Sequence, residues 1–250
     1  MSGMGEGPAA GGGAARIHAV LLVALCGILV LHALQFFQPV DDAFISFRYA
    51  ENVAAGRGWV FNAGERVEGY SNFLWVALLA ACRRLGAEIP AASLALGLLL
   101  SLATLLAAAA AARRILPKAR LAGVPAALLL SASPAVAMWT GGGMEVPLFS
   151  LLALLASGFW MAESAATPRP WRWPLAACLA AMARPDGVLL FGIALAWDLL
   201  SGTGSAGGRW RRLLAALGVF LAAGVPYFLW RWSYYGALLP NTYHAKVGHD

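Results

Sequence analysis

Residues 41–75 read DDAFISFRYAENVAAGRGWVFNAGERVEGYSNFLW, and they directly follow residues 17–37, an apolar run long enough to cross a bilayer. Two adjacent carboxylates, Asp41 and Asp42, therefore stand where the chain leaves the hydrocarbon. Because charge is costly to hold near lipid, this position makes them candidates for a functional site. The alternative is that they are solvated residues that cap the next helix, where their negative charge suits the helix dipole.

The composition is that of a membrane protein with several transmembrane helices. Hydrophobic residues make up 60% of the chain and charged residues 12%, and the mean hydropathy is +0.70. Soluble domains carry about 25% charged residues. The net charge of +6 does not indicate nucleic-acid binding, because the basic residues lie in short clusters between apolar runs. The three cysteines lie in apolar segments without metal spacing, so no disulfide framework is predicted.

Apolar runs and basic clusters together predict the topology. The runs cover residues 17–37, 91–112, 121–138, 146–161, 174–183, 187–200 and 213–232. Four basic clusters separate them, beginning at Arg16, Arg113, Arg169 and Arg209. All four clusters can be cytoplasmic only if residues 174–200 cross twice, with an outer turn at Arg184. The sequence therefore predicts an all-α, polytopic transmembrane bundle of about seven spans, residues 16–250, after a disordered cytoplasmic tail, residues 1–15.

With this topology, four motifs share the outer face of the membrane. They are residues 41–75, 141–145 (GGGME), 184–186 (RPD) and 239–246 (LPNTYHAK). Residues 38–90 form the first outer loop, and within it residues 71–85 are shorter than a full span. We therefore expect an amphipathic or dipping helix on the outer surface there, although Arg83 and Arg84 violate the charge rule. If this segment spans instead, the motifs separate onto opposite faces.

The predicted outer face combines carboxylates with basic groups. The possible acids or bases are Asp41, Asp42, Glu65, Glu68, Glu145 and Asp186, and the basic residues are Arg48, Arg57, Arg66, Arg184, His244 and Lys246. A carboxylate at the edge of a low-dielectric site can act as a general base, and Arg and Lys suit a phosphate. Both signs of charge at a membrane surface, without a nucleotide-binding loop, indicate a lipid-borne phosphate substrate.

Several of these groups also have a purely structural interpretation. Arg48 could pair with Glu51 on one helix, and His244 has no second histidine at metal spacing. Residues 141–143 are either a flexible turn or a backbone that lets a substrate approach, and residues 184–186 could be only a hairpin turn. Three tryptophans could anchor the chain at the membrane interface or stack on a sugar: Trp59, Trp75 and Trp139.

Five motifs, in order along the chain, resemble a known family. They are DDAFISFRYA (41–50), GERVEGYSNFLW (64–75), GGMEVP (142–147), ARPDG (183–187) and LLPNTYHAK (238–246). Together they are similar to the multi-spanning GT-C glycosyltransferases, and most closely to the bacterial branch that includes the terminal arabinofuranosyltransferases of the mycobacterial cell wall. The resemblance covers most of residues 16–246.

The resemblance implies a seven-span catalytic module in the bacterial plasma membrane. It implies a polyprenyl-phosphate sugar donor, membrane lipid around the module, and a glycan, lipid or protein acceptor on the periplasmic or extracellular side. The family's base, an acidic residue early in the first outer loop, maps onto Asp41, with Asp42 beside it. Donor and phosphate binding is assigned to Arg184, Lys246, Arg48 and His244. Supporting positions are Glu68, Tyr70, Glu145, Asp186, Asn241 and Tyr243. A divalent metal is possible because some relatives use one, but two adjacent carboxylates are not a metal signature.

Members of this family usually continue beyond the last motif, so we expect this chain to be part of a longer enzyme or to lack an acceptor-binding region. Two other functions remain open. A lipid-linked sugar flippase would place polar residues inside spans or show internal repeats, and the predicted spans are nearly free of charge. A non-catalytic assembly subunit would tolerate the loss of Asp41.

Overall fold

The computed structural model describes residues 9–163, 169–201 and 206–241, and those residues form helices and connecting turns without a strand. The helices are α1 (Ala9–Gln35), α2 (Asp41–Ala54), α3 (Phe73–Arg84), α4 (Ile89–Ile115), α5 (Gly123–Ala132), α6 (Pro134–Gly141), α7 (Val146–Met161), α8 (Arg172–Ala183), α9 (Gly187–Leu200) and α10 (Ala206–Tyr235). The predicted all-α class is confirmed. Helix α1 begins at Ala9, within the segment whose composition indicates a tail.

Three helices are long and apolar enough to cross a membrane: Ala15–Gln35 of α1, Ile89–Ile115 of α4 and Gly207–Tyr235 of α10. In the most apolar 18-residue stretch of each helix, only 22%, 22% and 11% of the residues are buried inside the protein. Most of the apolar surface of these helices is therefore left for lipid. A transmembrane bundle has this arrangement, because lipid tails cover the outer faces of its helices.

A fourth span requires α5 and α6 to act together, and they are bent by 63°. The bend lies at Ser133 and Pro134. Proline cannot continue the hydrogen bonds of α5, whereas it suits the first turn of α6, and Ser133 Oγ accepts a 3.4 Å hydrogen bond from Val136 N–H.

The remaining apolar helices are short. Helices α8 and α9 have 12 and 14 residues, or about 18 and 21 Å, against a hydrocarbon core of about 30 Å. They pack against each other as a hairpin, which confirms the turn predicted at residues 184–186. The predicted count of seven spans is not confirmed and stays a prediction.

The first loop packs into the bundle through α2 and α3. The second of these is a 12-residue helix, as the short segment 71–85 predicts, and it buries one of its faces in the protein. Its residues Trp75, Val76 and Leu79 are fully buried, and α3 contacts α2, α4 and α8. The hydrophobic core at this end of the protein therefore holds the first loop in a fixed position against the helices that carry the other motifs.

Candidate active site

Glu145 joins three of the four motifs. Its side chain is 4% exposed and directly precedes α7. Its Oε2 accepts a 2.7 Å hydrogen bond from Asn72 Nδ2 of the first loop, and its Oε1 accepts a 2.8 Å hydrogen bond from Arg184 Nη1. The first-loop, triple-glycine and Arg-Pro-Asp motifs therefore meet at one buried carboxylate.

Glu68 joins the fourth motif to the first loop. Its side chain is 5% exposed, and Arg231 of α10 donates to both of its oxygens, with Nε at 2.7 Å from Oε1. Arg231 Nη1 also donates to Leu238 O at 2.8 Å, and the backbone N–H of Asn241 donates to Glu68 O at 3.0 Å. Within the described residues, the four motifs thus converge on one end of the bundle, as the sequence predicts.

Two glycines permit the close approach of these elements. Gly143 has φ of 80°, and an added Cβ there would lie 2.9 Å from Phe47 Cζ and 3.1 Å from Ala43 Cβ. A Cβ on Gly187 would lie 2.2 Å from Ala181 N, so the tight turn between α8 and α9 requires glycine. All three glycines are buried: Gly143 packs against α2, and a Cβ on Gly141 would lie 2.7 Å from Phe36 O at the end of α1. Close packing inside the protein takes the place of the flexible turn, and the approach of a substrate to this backbone stays a prediction.

Asp41 and Asp42 occupy the first turn of α2, and both are exposed. The residue that caps this helix is Val40, with no side-chain capping bond, and its N–H donates to Gly142 O at 3.0 Å. The pair therefore lies directly beside the triple-glycine turn. Its negative charge still suits the N-terminus of α2.

These two carboxylates differ from every other acid in the described chain. Within the ranges that the structure describes, each remaining acidic side chain accepts a hydrogen bond: Glu51, Glu65, Glu68, Glu88, Glu145, Glu163, Asp186 and Asp198. No described residue donates to Asp41 or Asp42. Their oxygens therefore remain available to a substrate.

Arg184 is the basic group that the structure places in this network. Its Nη1 donates to Glu145, its Nε donates to Asp186 Oδ2 at 3.4 Å, and its side chain is 37% exposed. The two carboxylates bond to two different nitrogens of the guanidinium, and no described residue accepts a hydrogen bond from Nη2, which remains for an anion. Arg48 is also exposed, but its Nε donates to Phe61 O at 3.1 Å and not to Glu145.

An aromatic cluster lies beside the Glu68–Arg231 pair. The Trp59 ring stacks on Phe73 with centroids 4.7 Å apart, and Tyr235 donates to Trp59 O at 2.8 Å. Burial raises the pKa of Tyr70 far above its usual value, so its hydroxyl stays protonated and can donate a hydrogen bond. A neighbouring cavity of about 190 Å³ is lined by Arg66, Val67, Glu68, Tyr235, Ala237, Leu239 and Asn241.

Sequence reasoning missed two members of the site. Arg231 lies in the apolar run 213–232, where a charged residue is expensive and indicates a buried partner or a function. That signal was present in the sequence. Asn72 carried no comparable signal, because its role depends on Glu145, which is distant in sequence and close only in the fold.

Two sequence interpretations are corrected by the contacts. Glu51 pairs with Arg83, with Nε at 2.9 Å from Oε2, so the suggested Arg48–Glu51 pair is wrong. Trp75 is fully buried and donates from Nε1 to Gly143 O at 3.0 Å, so it neither anchors the chain at an interface nor stacks on a sugar. Three predicted site residues lie outside the described residues: Tyr243, His244 and Lys246.

A metal-ligand set does not occur in the part of the chain that the structure describes. Across residues 9–163, 169–201 and 206–241, no group of three or more His, Cys, Asp or Glu side chains is placed to hold a metal ion. The structure therefore adds no further ligand to the pair Asp41 and Asp42.

Comparison with known proteins points to one group of enzymes. The chain is 34% identical over 224 residues to a terminal β-(1→2)-arabinofuranosyltransferase of Mycobacterium tuberculosis, and this match covers 82% of the chain. It is 30% identical over 237 residues to an enzyme of the same name from Corynebacterium glutamicum, with 84% of the chain covered. The chain is related to these arabinofuranosyltransferases. The resemblance seen in the five motifs is thereby confirmed.

The relationship concerns part of each relative. The matches cover 34% and 33% of the two enzymes, so the chain spans about one third of the length of the curated relatives it matches. No family model matches the chain, and no solved structure matches it.

Proposed function

We propose that this chain carries the catalytic part of a membrane glycosyltransferase. It transfers a pentose, arabinofuranose, from a polyprenyl-phosphate donor to a glycan of the cell envelope. The relatives' names support the sugar and the type of reaction. The apolar helices support a membrane enzyme, for which a lipid-borne donor is a natural substrate.

One observation carries the assignment of the base. Asp41 and Asp42 are exposed carboxylates without a donor among the described residues, and they stand beside the network of Glu145 and Arg184. In the proposed reaction the acceptor hydroxyl gives its proton to Asp41 while its oxygen bonds to the anomeric carbon. The bond between that carbon and the phosphate oxygen breaks on the opposite side, which inverts the anomeric configuration, and polyprenyl phosphate leaves.

Arg184 is proposed to bind the donor phosphate. Glu145 and Asp186 orient its guanidinium, and its free Nη2 stabilises the charge that develops on the departing phosphate. Lys246, proposed as a second phosphate ligand, lies outside the described residues. A divalent metal, where one is used, would also bind the donor phosphate. Asp41 and Asp42 are the candidate protein ligands of that metal.

The role of Arg184 is tested by measuring how a polyprenyl-phosphate sugar binds to the purified chain in lipid nanodiscs. Because no acceptor is present, the measurement reports donor binding alone. Arg184→Lys keeps the charge but loses the planar guanidinium, whose several N–H groups can bond to the carboxylates and to a phosphate at the same time. We expect the affinity for the donor to fall at least about tenfold, since a hydrogen bond to a charged group contributes about 1.5–3 kcal/mol. Arg83→Lys, in an ion pair outside the site, is the matched control. Equal binding by both variants would remove Arg184 from the donor site.

The side of the membrane is tested by thiol labelling in intact cells. We place the N-terminus in the cytoplasm and the four motifs on the periplasmic or extracellular side. Cysteines at Asn62 and Pro185, both exposed, should then react with an impermeant reagent after the native cysteines are replaced. Cysteine at Gly207 should react only after permeabilisation. Reaction of Pro185→Cys only after permeabilisation would contradict the double crossing of residues 174–200.

A further inference from the structure

His18 is a buried polar residue without a partner. Its side chain is 5% exposed, and neither ring nitrogen has a hydrogen-bond partner. It lies on α1, close to the start of α5: a Cβ added to Gly123 would lie 3.1 Å from His18 Cε1. Leaving a buried polar group unpaired costs about 1–3 kcal/mol, so an imidazole kept there indicates a ligand.

A cavity of about 810 Å³ adjoins this histidine, and its wall is basic. Arg113, Arg114 and Arg120 line it together with His18. Arg113 and Arg114 are exposed, and no described residue forms a hydrogen bond or an ion pair with them. This lining favours an anionic ligand.

A second, apolar cavity shows what else the ligand contains. It measures about 380 Å³ and lies between α4 and α7, where alanines, leucines and Gly158 line it. Ala110 and Arg114 line both cavities, so the two adjoin at the end of α4. A basic compartment next to an apolar groove fits a molecule with an anionic head and a hydrocarbon chain.

We propose that this end of the bundle binds an anionic membrane phospholipid. Its phosphate accepts hydrogen bonds from Arg114 and, after a rotation of the imidazole that brings one of its buried nitrogens into the cavity, from His18. One acyl chain lies in the groove between α4 and α7. Helix α4 begins in the core that holds the first loop and extends for 27 residues, or about 40 Å. The lipid therefore lies at the opposite end of α4 from the candidate active site, and its binding does not depend on the proposed reaction.

Lipid retention tests this site. The purified chain is equilibrated in detergent with equal amounts of phosphatidylglycerol and phosphatidylcholine, and the bound lipids are counted by native mass spectrometry. Wild-type protein should prefer phosphatidylglycerol, and Arg114→Gln and His18→Leu should each reduce its retention about tenfold. His18→Leu should not lower the melting temperature, because it removes an unpaired buried polar group. Arg211→Gln, an exposed arginine of another basic cluster, should change retention little.

The apolar groove supplies an independent variant. Gly158→Phe places a ring in this groove, where nothing lies within 4 Å of an added Cβ. Gly27→Phe is a matched control at an equally open position of α1. We expect Gly158→Phe to reduce phosphatidylglycerol retention while inorganic phosphate still competes for the basic cavity. An equal loss of phosphatidylglycerol retention in Arg114→Gln and Arg211→Gln would mean that the lipid is held only by general attraction to positive charge, and would overturn the proposal. Phosphate binding without any effect of Gly158→Phe would indicate a free-anion site and overturn it too.

Discussion

Two pairs of carboxylates at the same end of the molecule have opposite environments. Glu68 and Glu145 are buried, and each is held by an arginine. Asp41 and Asp42 are exposed and accept no hydrogen bond from the described residues. A buried carboxylate without a partner pays a large desolvation cost, so its arginine is a structural requirement. In the proposed reaction, the buried pair builds the site and the exposed pair acts on the substrate.

The largest effect is expected from Asp41→Asn, which tests the exposed pair. Asparagine keeps the size and some hydrogen bonding but cannot accept the acceptor's proton. General-base assistance contributes about 10²–10⁴-fold, so sugar transfer should fall by that factor while the melting temperature and donor binding stay unchanged. The measurement is transfer from a polyprenyl-phosphate sugar by equal amounts of protein.

Controls for this prediction lie in the same loop. Asp42→Asn tests the neighbouring carboxylate, and Glu65→Gln alters an exposed acid whose Oε2 already accepts a hydrogen bond from Asn62. Loss at Asp42 with Asp41 tolerated would move the base by one residue. Near-normal transfer by both aspartate variants would contradict the catalytic assignment and leave a charge that only stabilises the start of α2.

The buried pair predicts a loss of stability instead. Arg231→Met leaves the charge of Glu68 buried without its partner, and breaking a buried ion pair in this way costs about 3–5 kcal/mol. The melting temperature should fall, and the link between α10 and the first loop should loosen. Limited proteolysis after Arg66 reports that loosening, because residues 65–67 are exposed and precede Glu68.

A double variant distinguishes an unpaired charge from a loss of packing. Arg231→Met with Glu68→Leu removes both charges and should recover most of the stability lost in Arg231→Met. Failure of the double variant to recover would mean that the lost packing of Arg231 and its hydrogen bond to Leu238 O, and not the unpaired charge of Glu68, account for the loss of stability.

The same contrast explains what sequence alone could predict. The apolar runs, the hairpin at residues 184–186 and the convergence of the motifs follow from hydropathy, charge and order along the chain, and the contacts agree with them. The break between α5 and α6 was missed although Pro134 stands inside the predicted run. Pairing partners such as Glu68 and Arg231 are 163 positions apart, and no local pattern specifies which arginine meets which carboxylate.

The smallest effect is expected at an ion pair outside the site. Arg83 Nε donates to Glu51 Oε2 at 2.9 Å, and both side chains are about one third exposed to solvent. Water screens such a pair, and ordering two long side chains offsets much of the attraction between them. Glu51→Gln should therefore leave the melting temperature and sugar transfer unchanged within error. The neighbouring carboxylate raises the pKa of Arg83, and an arginine is already fully protonated at neutral pH. The titration of Arg83 should therefore not change the melting temperature between pH 5 and pH 9. A loss of stability comparable to that of Arg231→Met would contradict the division between buried and exposed carboxylates, because it would show that burial does not determine which pairs hold this loop.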